Sequence, residues 1–425
     1  MIKNFLTSSF LLIAATTTTG VQSGQLANPI APMPMPGAKR IVLQQPLASA
    51  ANGINYHGGP VMSSPSSLYY IWYGNWANST TPAILTDFAS NIGNSPYFNI
   101  NGTYYNSKNI PVYTGVRYGG ATTDNYSFGQ NLNQSAIGSI VGNAIGSGRL
   151  PFDPNGVYMV LVSPDIAESS SYCANPGYIG YHTYSSISFT DIKVAFIGNS
   201  DRCPALFSGV PTGPNGNRSA DIMASVVAHE LVETVTDPNI NAWWDDALGL
   251  SGENGDKCAW NWGNGIYNAG GGTANIRLGV RNFLIQQNWL NANGGTCTMT
   301  PPNVLISPIA SLSQSKVGSS NFIATVSAVI GNWGTGPYTY RWTSDQLDLR
   351  NATTAVVTAE TYLEVCQQDG YVQLNDQLMV TITDAKGQVM SSTTPVVFTA
   401  TYDTRLPTRD VCQRSIARSL HRVGR

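Results

Sequence analysis

Charge is scarce in this chain: Asp, Glu, Lys and Arg make up 11% of its 425 residues, well under the roughly 25% usual for soluble domains. The net charge of −2 leaves no general basic field, which excludes nucleic acid as a bulk electrostatic partner. Histidine is scarcer still, with four copies, so each can be weighed alone. No Cys-x-x-Cys pair occurs, which removes the commonest zinc-ribbon and redox signatures. No Gly-x-Ser-x-Gly elbow marks a serine hydrolase. The run Gly270-Gly271-Gly272 lacks the lysine and the strand-to-helix setting of a phosphate loop, and reads as a loop. Beyond the N-terminus no apolar run is long enough to cross a bilayer.

The N-terminus itself has the pattern of an export signal. Lys3 supplies a positive start, Phe5 to Ala15 a short apolar stretch, and Val21-Gln22-Ser23 small residues suited to cleavage. Residues 1–23 are therefore expected to be a signal peptide, and 24–50 a Pro-rich linker or pro-segment. In an exported chain the six cysteines favour three disulfides over a structural zinc site. Proximity in sequence pairs Cys173 with Cys203, Cys258 with Cys297, and Cys366 with Cys412, one of many connectivities that six cysteines allow. Sequons at Asn78, Asn101, Asn125, Asn133, Asn217 and Asn351 fit an extracellular glycoprotein. A surface poor in charge and rich in Tyr, Trp and Asn suits an extracellular protein or carbohydrate as partner, with no membrane span.

Hydrophobic patterning divides the rest. Residues 51–301 alternate strand and helix signals: strands over Leu68–Tyr73, Val157–Val162 and Lys193–Ile197, and helices over Thr81–Ile92, Gln134–Ile145 and Ser219–Thr236. The last helix is closed by Asp237-Pro238. This alternation predicts an α/β or α+β core. Residues 302–403 change texture: Phe322, Ala324, Val326 and Ala328 alternate with polar residues, as do Leu378, Val380 and Ile382. Asp384-Ala385-Lys386-Gly387 reads as a hairpin turn, and Trp342 stands like the core tryptophan of an immunoglobulin-type sandwich. This all-β stretch resembles the Ig-like and PKD-like modules of secreted proteins, which bind or space. Residues 404–425 form a basic tail in which His421 is solvated.

The segment from Ser219 to Asp237 carries the chemistry. On a helix, Met223, Ala224, Val227, Ala228, Leu231 and Val235 share one apolar arc, while His229, Glu230, Glu233 and Asp237 gather opposite with Ile222 and Val226. His229 and Glu233, four apart, can point at one ion. This is the His-Glu-x-x-His zincin helix with glutamate in place of the second histidine. His229, Glu233 and Asp237 are the candidate metal ligands, and Glu230 stands where a general base would act on metal-bound water. Between Asp221 and Asp256 there are eight carboxylates and no Lys or Arg, so Asp245, Asp246, Glu253 and Asp256 could add oxygen ligands. His182 is a further candidate ligand; His57, at a Gly-rich turn, reads as structural. Zinc is the first choice of metal, with calcium as the oxygen-ligand alternative.

A family resemblance adds to this reading. It is carried by Tyr56-His57-Gly58-Gly59-Pro60-Val61-Met62, Ile71-Trp72-Tyr73-Gly74, Tyr172-Cys173, Gly180-Tyr181-His182, Ala195 to Ser200 with Cys203-Pro204, Thr234 to Pro238, and Cys258 and Cys297. From about Tyr56 to Thr298 the chain resembles the EXORDIUM, or phosphate-induced protein, family of secreted plant and microbial proteins. That resemblance implies an extracellular or cell-wall location and, in plants, a link to growth and to sugar or hormone signalling; it brings no catalytic residues. Two functions are expected on this basis. One is a secreted metal-dependent hydrolase, a peptidase, acting through the His229–Glu233 helix. The other is a non-catalytic cell-wall, matrix or carbohydrate-associated protein with a structural calcium or no metal.

Overall fold

A computed structural model describes residues 53–108, 110–169, 172–173, 178–187, 189–248, 252–292, 294–307, 311–316, 318–331, 334–365 and 371–402. The expected signal peptide, the Pro-rich segment 24–50, the tail with His421, and Cys366 and Cys412 lie outside the described residues.

The apolar runs read from sequence become the middle of a five-stranded sheet. Strands β1 (Ser67–Tyr73), β2 (Arg117–Asp124), β3 (Gly156–Val162), β4 (Gly180–Ile187) and β5 (Thr190–Ile197) lie in the order β2-β1-β3-β5-β4. All pairs are parallel except β4 with β5, which is antiparallel. Every residue of β1 and β3 is buried, as a parallel strand covered on both faces requires. The edge strands β2 and β4 were not legible as apolar runs. β2 alternates exposed and half-buried positions, and β4 carries Gly, His, Thr and Ser that are buried by what packs on them.

Helices α1 (Thr81–Asn91), α2 (Gln134–Gly146) and α3 (Arg218–Thr236) agree closely with the sequence expectation. They cover both faces of the sheet. Gly138 of α2 lies against Ser185, whereas Gly180, on the opposite face of β4, lies against Val226 and Glu230 of α3. Helix α3 begins at Asn217, whose side chain accepts a hydrogen bond from the Ala220 amide, a standard N-cap. It is not a surface helix with one wet face: every residue from Ser219 to Thr236 is buried. Its polar side chains must therefore find partners inside the protein.

Beyond α3 the chain runs as short paired strands. Trp243–Asp245 pairs with Ile54–Tyr56, and Asn288–Leu290 with Thr296–Thr298. Gly270 and Gly271, both with positive φ, turn the hairpin between Tyr267–Ala269 and Gly272–Ala274, in keeping with the loop reading. Disulfides join Cys173 to Cys203 and Cys258 to Cys297, the first two pairings expected from sequence.

The C-terminal domain is a sandwich of two four-stranded sheets. One has the order β6 (Val304–Ser307), β8 (Gly318–Ile330), β11 (Val356–Val365), β10 (Asp348–Arg350); the other, β7 (Ser311–Lys316), β13 (Val389–Tyr402), β12 (Tyr371–Thr383), β9 (Thr339–Thr343). The pairings are antiparallel apart from β7 with β13. Trp342 is buried in a hydrophobic cluster separate from that of the α/β core, and Phe322 meets Phe398 across the two sheets. The core and sandwich touch: the Asn99 side chain donates to the Ile330 carbonyl, and Leu305 packs on the α/β core.

Of the sequons, Asn78, Asn125, Asn133 and Asn351 are exposed, and half-buried Asn217 is engaged as a cap and with Thr80 and Thr81. Asn101 corrects the sequence expectation. It is fully buried, donates to the Phe98 carbonyl and accepts from Asn254 and Asn288, so the folded chain has no room there for a glycan.

Candidate metal centre

Three elements bring their polar residues to one buried point. Helix α3 supplies His229, Glu230, Glu233 and, at its C-terminal cap, Asp237. The edge strand β4 supplies His182. The segment that follows the Trp243–Asp245 strand supplies Glu253 and Asp256. None of the first six exceeds 2% exposure, and the Asp256 side chain reaches only 7%. Among the described residues no Lys or Arg forms an ion pair with any of these five carboxylates.

Each imidazole has one nitrogen held and one nitrogen aimed. Gln286 donates its amide to the Gly255 carbonyl at 2.8 Å, which turns its oxygen toward His229 Nδ1 at 3.1 Å. The proton of His229 therefore sits on Nδ1, and the lone pair of Nε2 faces Glu233 Oε1 at 3.0 Å and Asp256 Oδ1 at 3.5 Å. His182 repeats the pattern with its nitrogens exchanged. Its Nε2 lies 3.3 Å from the Asp237 backbone carbonyl, while Nδ1 faces Glu233 Oε2 at 3.4 Å and Glu230 Oε2 at 3.7 Å. Both aimed nitrogens are buried without a hydrogen-bond partner, as are Glu230 Oε2, Glu233 Oε2, Asp256 Oδ2 and both Glu253 oxygens. A lone pair against carboxylate oxygens needs a positive charge between them, a proton or a metal ion. An outer-shell acceptor on the far nitrogen is the usual way a protein orients a metal-ligating histidine.

Without metal, protons fill the gap. Burial opposes charge on either ring, but the surrounding carboxylates outweigh it and raise both pKa values well above the ordinary imidazole value. Burial also pushes Asp256 up to about 7, and Glu230 and Glu253 above their usual range. Glu233 runs the other way: burial would raise it, but His229 and His182 together hold it low.

The remaining candidates do not share an ion with either imidazole, although Asp237 borders the cluster and its Oδ2 is also buried without a hydrogen-bond partner. Asp237 is fully buried at the end of α3, where Oδ1 accepts from the Asn241 and Ala242 amides at 2.6 and 2.7 Å. The atoms close enough to share one ion instead come from His229, Glu233 and Asp256, and from His182, Glu230 and Glu233. Asp245 pairs with Lys257 at 2.5 Å. His57 stacks on Trp244 and lies 3.3 Å from Asp246, consistent with a structural histidine. Sequence reasoning missed Gln286, the first of three amides, Gln286-Gln287-Asn288, between Phe283-Leu284-Ile285 and Trp289-Leu290; nothing local marks it apart from its neighbours.

Two glycines set the fit. A Cβ on Gly180 would meet Glu230 Oε1 at 2.5 Å and Val226 Cγ1 at 2.7 Å, and one on Gly255 would meet Glu233 Oε1 at 2.8 Å. Gly180→Ala is expected to push β4 from α3 and cost about 1–3 kcal/mol, the range for overpacking a core. Denaturant unfolding measures this, and an unchanged midpoint would show that the strand yields freely.

Comparison with known proteins adds four findings. Residues 54–279 match the conserved region of phosphate-induced protein 1. The chain is 31% identical over 288 residues to Protein EXORDIUM-like 5 of Arabidopsis thaliana, covering 58% of this chain and 77% of that protein. It is 29% identical over 295 residues to Protein EXORDIUM-like 3 of the same plant, covering 59% and 84%. Among solved structures, the PKD domain from KIAA 1837 protein aligns with 26% of this chain and 95% of that one, at 15% identity and a TM-score of 0.16.

Proposed function

The chain belongs to the phosphate-induced protein 1, or EXORDIUM-like, family, and from that premise we propose that it is an exported protein with an enclosed divalent-metal centre in its α/β core. The observation that carries this reading is the pair of buried imidazole nitrogens aimed at carboxylates without a hydrogen-bond partner. His229, Glu233 and Asp256 are the ligands of the ion on the helix, with Gln286 orienting His229. Imidazole ligands favour zinc or another first-row ion over calcium, which prefers oxygen alone. The disulfides and the absence of any described helix long and apolar enough to cross a membrane are consistent with secretion. The proposed role is a non-catalytic one in the cell wall or matrix, with carbohydrate or protein as partner.

The hydrolase reading has one observation in its favour. Glu230 follows a metal ligand and keeps an unpartnered oxygen at the site, where a general base would stand. A bound metal would acidify water there, and Glu230 would hold the proton released. Burial weighs against it, because a substrate must reach the ion and the cluster is closed to solvent.

Metal analysis of the purified full chain tests the reading. Stoichiometric zinc or another first-row ion is expected, and His229→Ala should lose the ion that His229, Glu233 and Asp256 hold. A wild-type chain that neither retains nor takes up such ions would overturn it. Hydrolysis of protein substrates by wild type, abolished in Glu230→Gln, would favour the hydrolase over the structural role.

A further inference from the structure

We propose that the centre holds two divalent ions bridged by the carboxylate of Glu233. The inference rests on the metal reading above and deepens it. Two groups of ligand atoms converge in the cluster, His229–Glu233–Asp256 and His182–Glu230–Glu233, and in each the atoms lie within 4.8 Å of one another. Glu233 is common to both but contributes different oxygens. Oε1 faces His229 Nε2 at 3.0 Å, and Oε2 faces His182 Nδ1 at 3.4 Å. A carboxylate with one oxygen turned to each of two imidazoles is placed to bridge a metal pair, and two-metal sites of this kind hold their ions about 3.5–4 Å apart.

The hydrogen-bond pattern gives the same answer from the other side. Each imidazole has its second nitrogen at a fixed oxygen, Gln286 Oε1 for His229 and the Asp237 carbonyl for His182. Each therefore offers one lone pair, and the two lone pairs point to different oxygens of Glu233. A single ion could satisfy one of them and would leave the other to a proton, whereas two ions serve both aimed nitrogens in the same way. Charge agrees. Five carboxylates, Glu230, Glu233, Asp237, Glu253 and Asp256, surround two imidazoles, with no Lys or Arg paired to them among the described residues. One divalent ion leaves three negative charges uncompensated; two leave one. The proposal also reassigns Glu230, from a base beside the metal to a ligand of the second ion.

The test is metal stoichiometry on the full chain, using zinc and manganese(II) as probes. Wild type is expected to bind two equivalents. His182→Ala and His229→Ala should each keep one, and Glu230→Gln should lower occupancy of the His182 ion. Glu233→Gln should weaken both. In wild type loaded with manganese(II), the paired ions should give an exchange-coupled paramagnetic resonance spectrum, which each histidine variant converts to that of an isolated ion. The wild-type spectrum needs no variant, so it decides the question even where a substitution unfolds the chain. One equivalent with an isolated-ion spectrum in wild type overturns the pair and leaves the single-ion reading standing. No binding in wild type overturns both.

Discussion

Stripping metal from the purified chain with a chelator is expected to lower its thermal midpoint by about 8–16 °C at neutral pH. The magnitude follows from linkage: an ion present at a thousand times its dissociation constant stabilises the fold by about 4 kcal/mol. A domain of this size responds by roughly 2–4 °C per kcal/mol. The pH dependence gives the result a second, sharper form. In the metal-free chain, Asp256 is raised to about 7, and Glu230, Glu253, His182 and His229 are all raised by the packing of the cluster. Carboxyls and imidazoles with raised pKa values act in the same direction: the folded state holds more protons than the unfolded one. Stability of the metal-free chain should therefore be greatest near pH 5 and fall as pH rises toward 8. Glu233, held low, contributes the opposite slope only at more acidic pH, below its ordinary range. Metal displaces these protons and binds more tightly as pH rises. The gap in midpoint between metal-loaded and chelated protein should thus widen from pH 5 to pH 8. Calorimetry at several pH values checks this, and two parallel curves would show that the cluster binds neither metal nor protons as described.

Much of this cluster was legible in the sequence, and the illegible part has a physical cause. Helix α3 declares itself through its apolar arc and the Asp237-Pro238 stop. The i, i+4 spacing of His229 and Glu233 then follows from helix geometry alone. Strand β4 does not declare itself. Gly180, His182, Thr183 and Ser185 are polar or small, and they are buried because α3 and α2 pack on the two faces of that edge. Local composition does not encode such a contact, so His182 could be named as a ligand but not placed. The choice between Asp237 and Asp256 is of the same kind. Asp237 sits at the helix end, where its oxygen satisfies the free amides of the next turn. Asp256 comes from a later loop whose path depends on the Glu233 side chain accepting its amide at 3.0 Å. The carboxylate that helix periodicity favours is used to end the helix, and the one that meets His229 arrives through tertiary structure.

Removing the Cys258–Cys297 disulfide should destabilise the chain and loosen the metal site together. The bond closes a stretch of 39 residues, for which loss of the crosslink costs about 4 kcal/mol on the chain-entropy account. Its position gives it a second effect. Asp256 stands two residues before Cys258, and Gln286, which orients His229, lies inside the closed stretch. The double variant Cys258→Ser with Cys297→Ser should lower the thermal midpoint by a margin similar to that of chelation. It should also weaken metal affinity by roughly ten- to a hundredfold, the usual cost of losing an outer-shell support. The Cys173–Cys203 bond is the control. It closes 30 residues that contain β4, so its loss should cost comparable stability. Yet β4 is paired with β5 along its whole length, from Gly180 opposite Ile197 to Ile187 opposite Thr190, and that ladder holds His182 without the crosslink. Metal affinity should therefore survive in the Cys173→Ser, Cys203→Ser variant. Isothermal titration with zinc on both variants decides the matter. Equal destabilisation with metal affinity unchanged in both would mean that the Cys258–Cys297 bond acts on stability alone. Asp256 and Gln286 would then be held by their hydrogen bonds to Glu233, Ser225 and Gly255 without help from the crosslink.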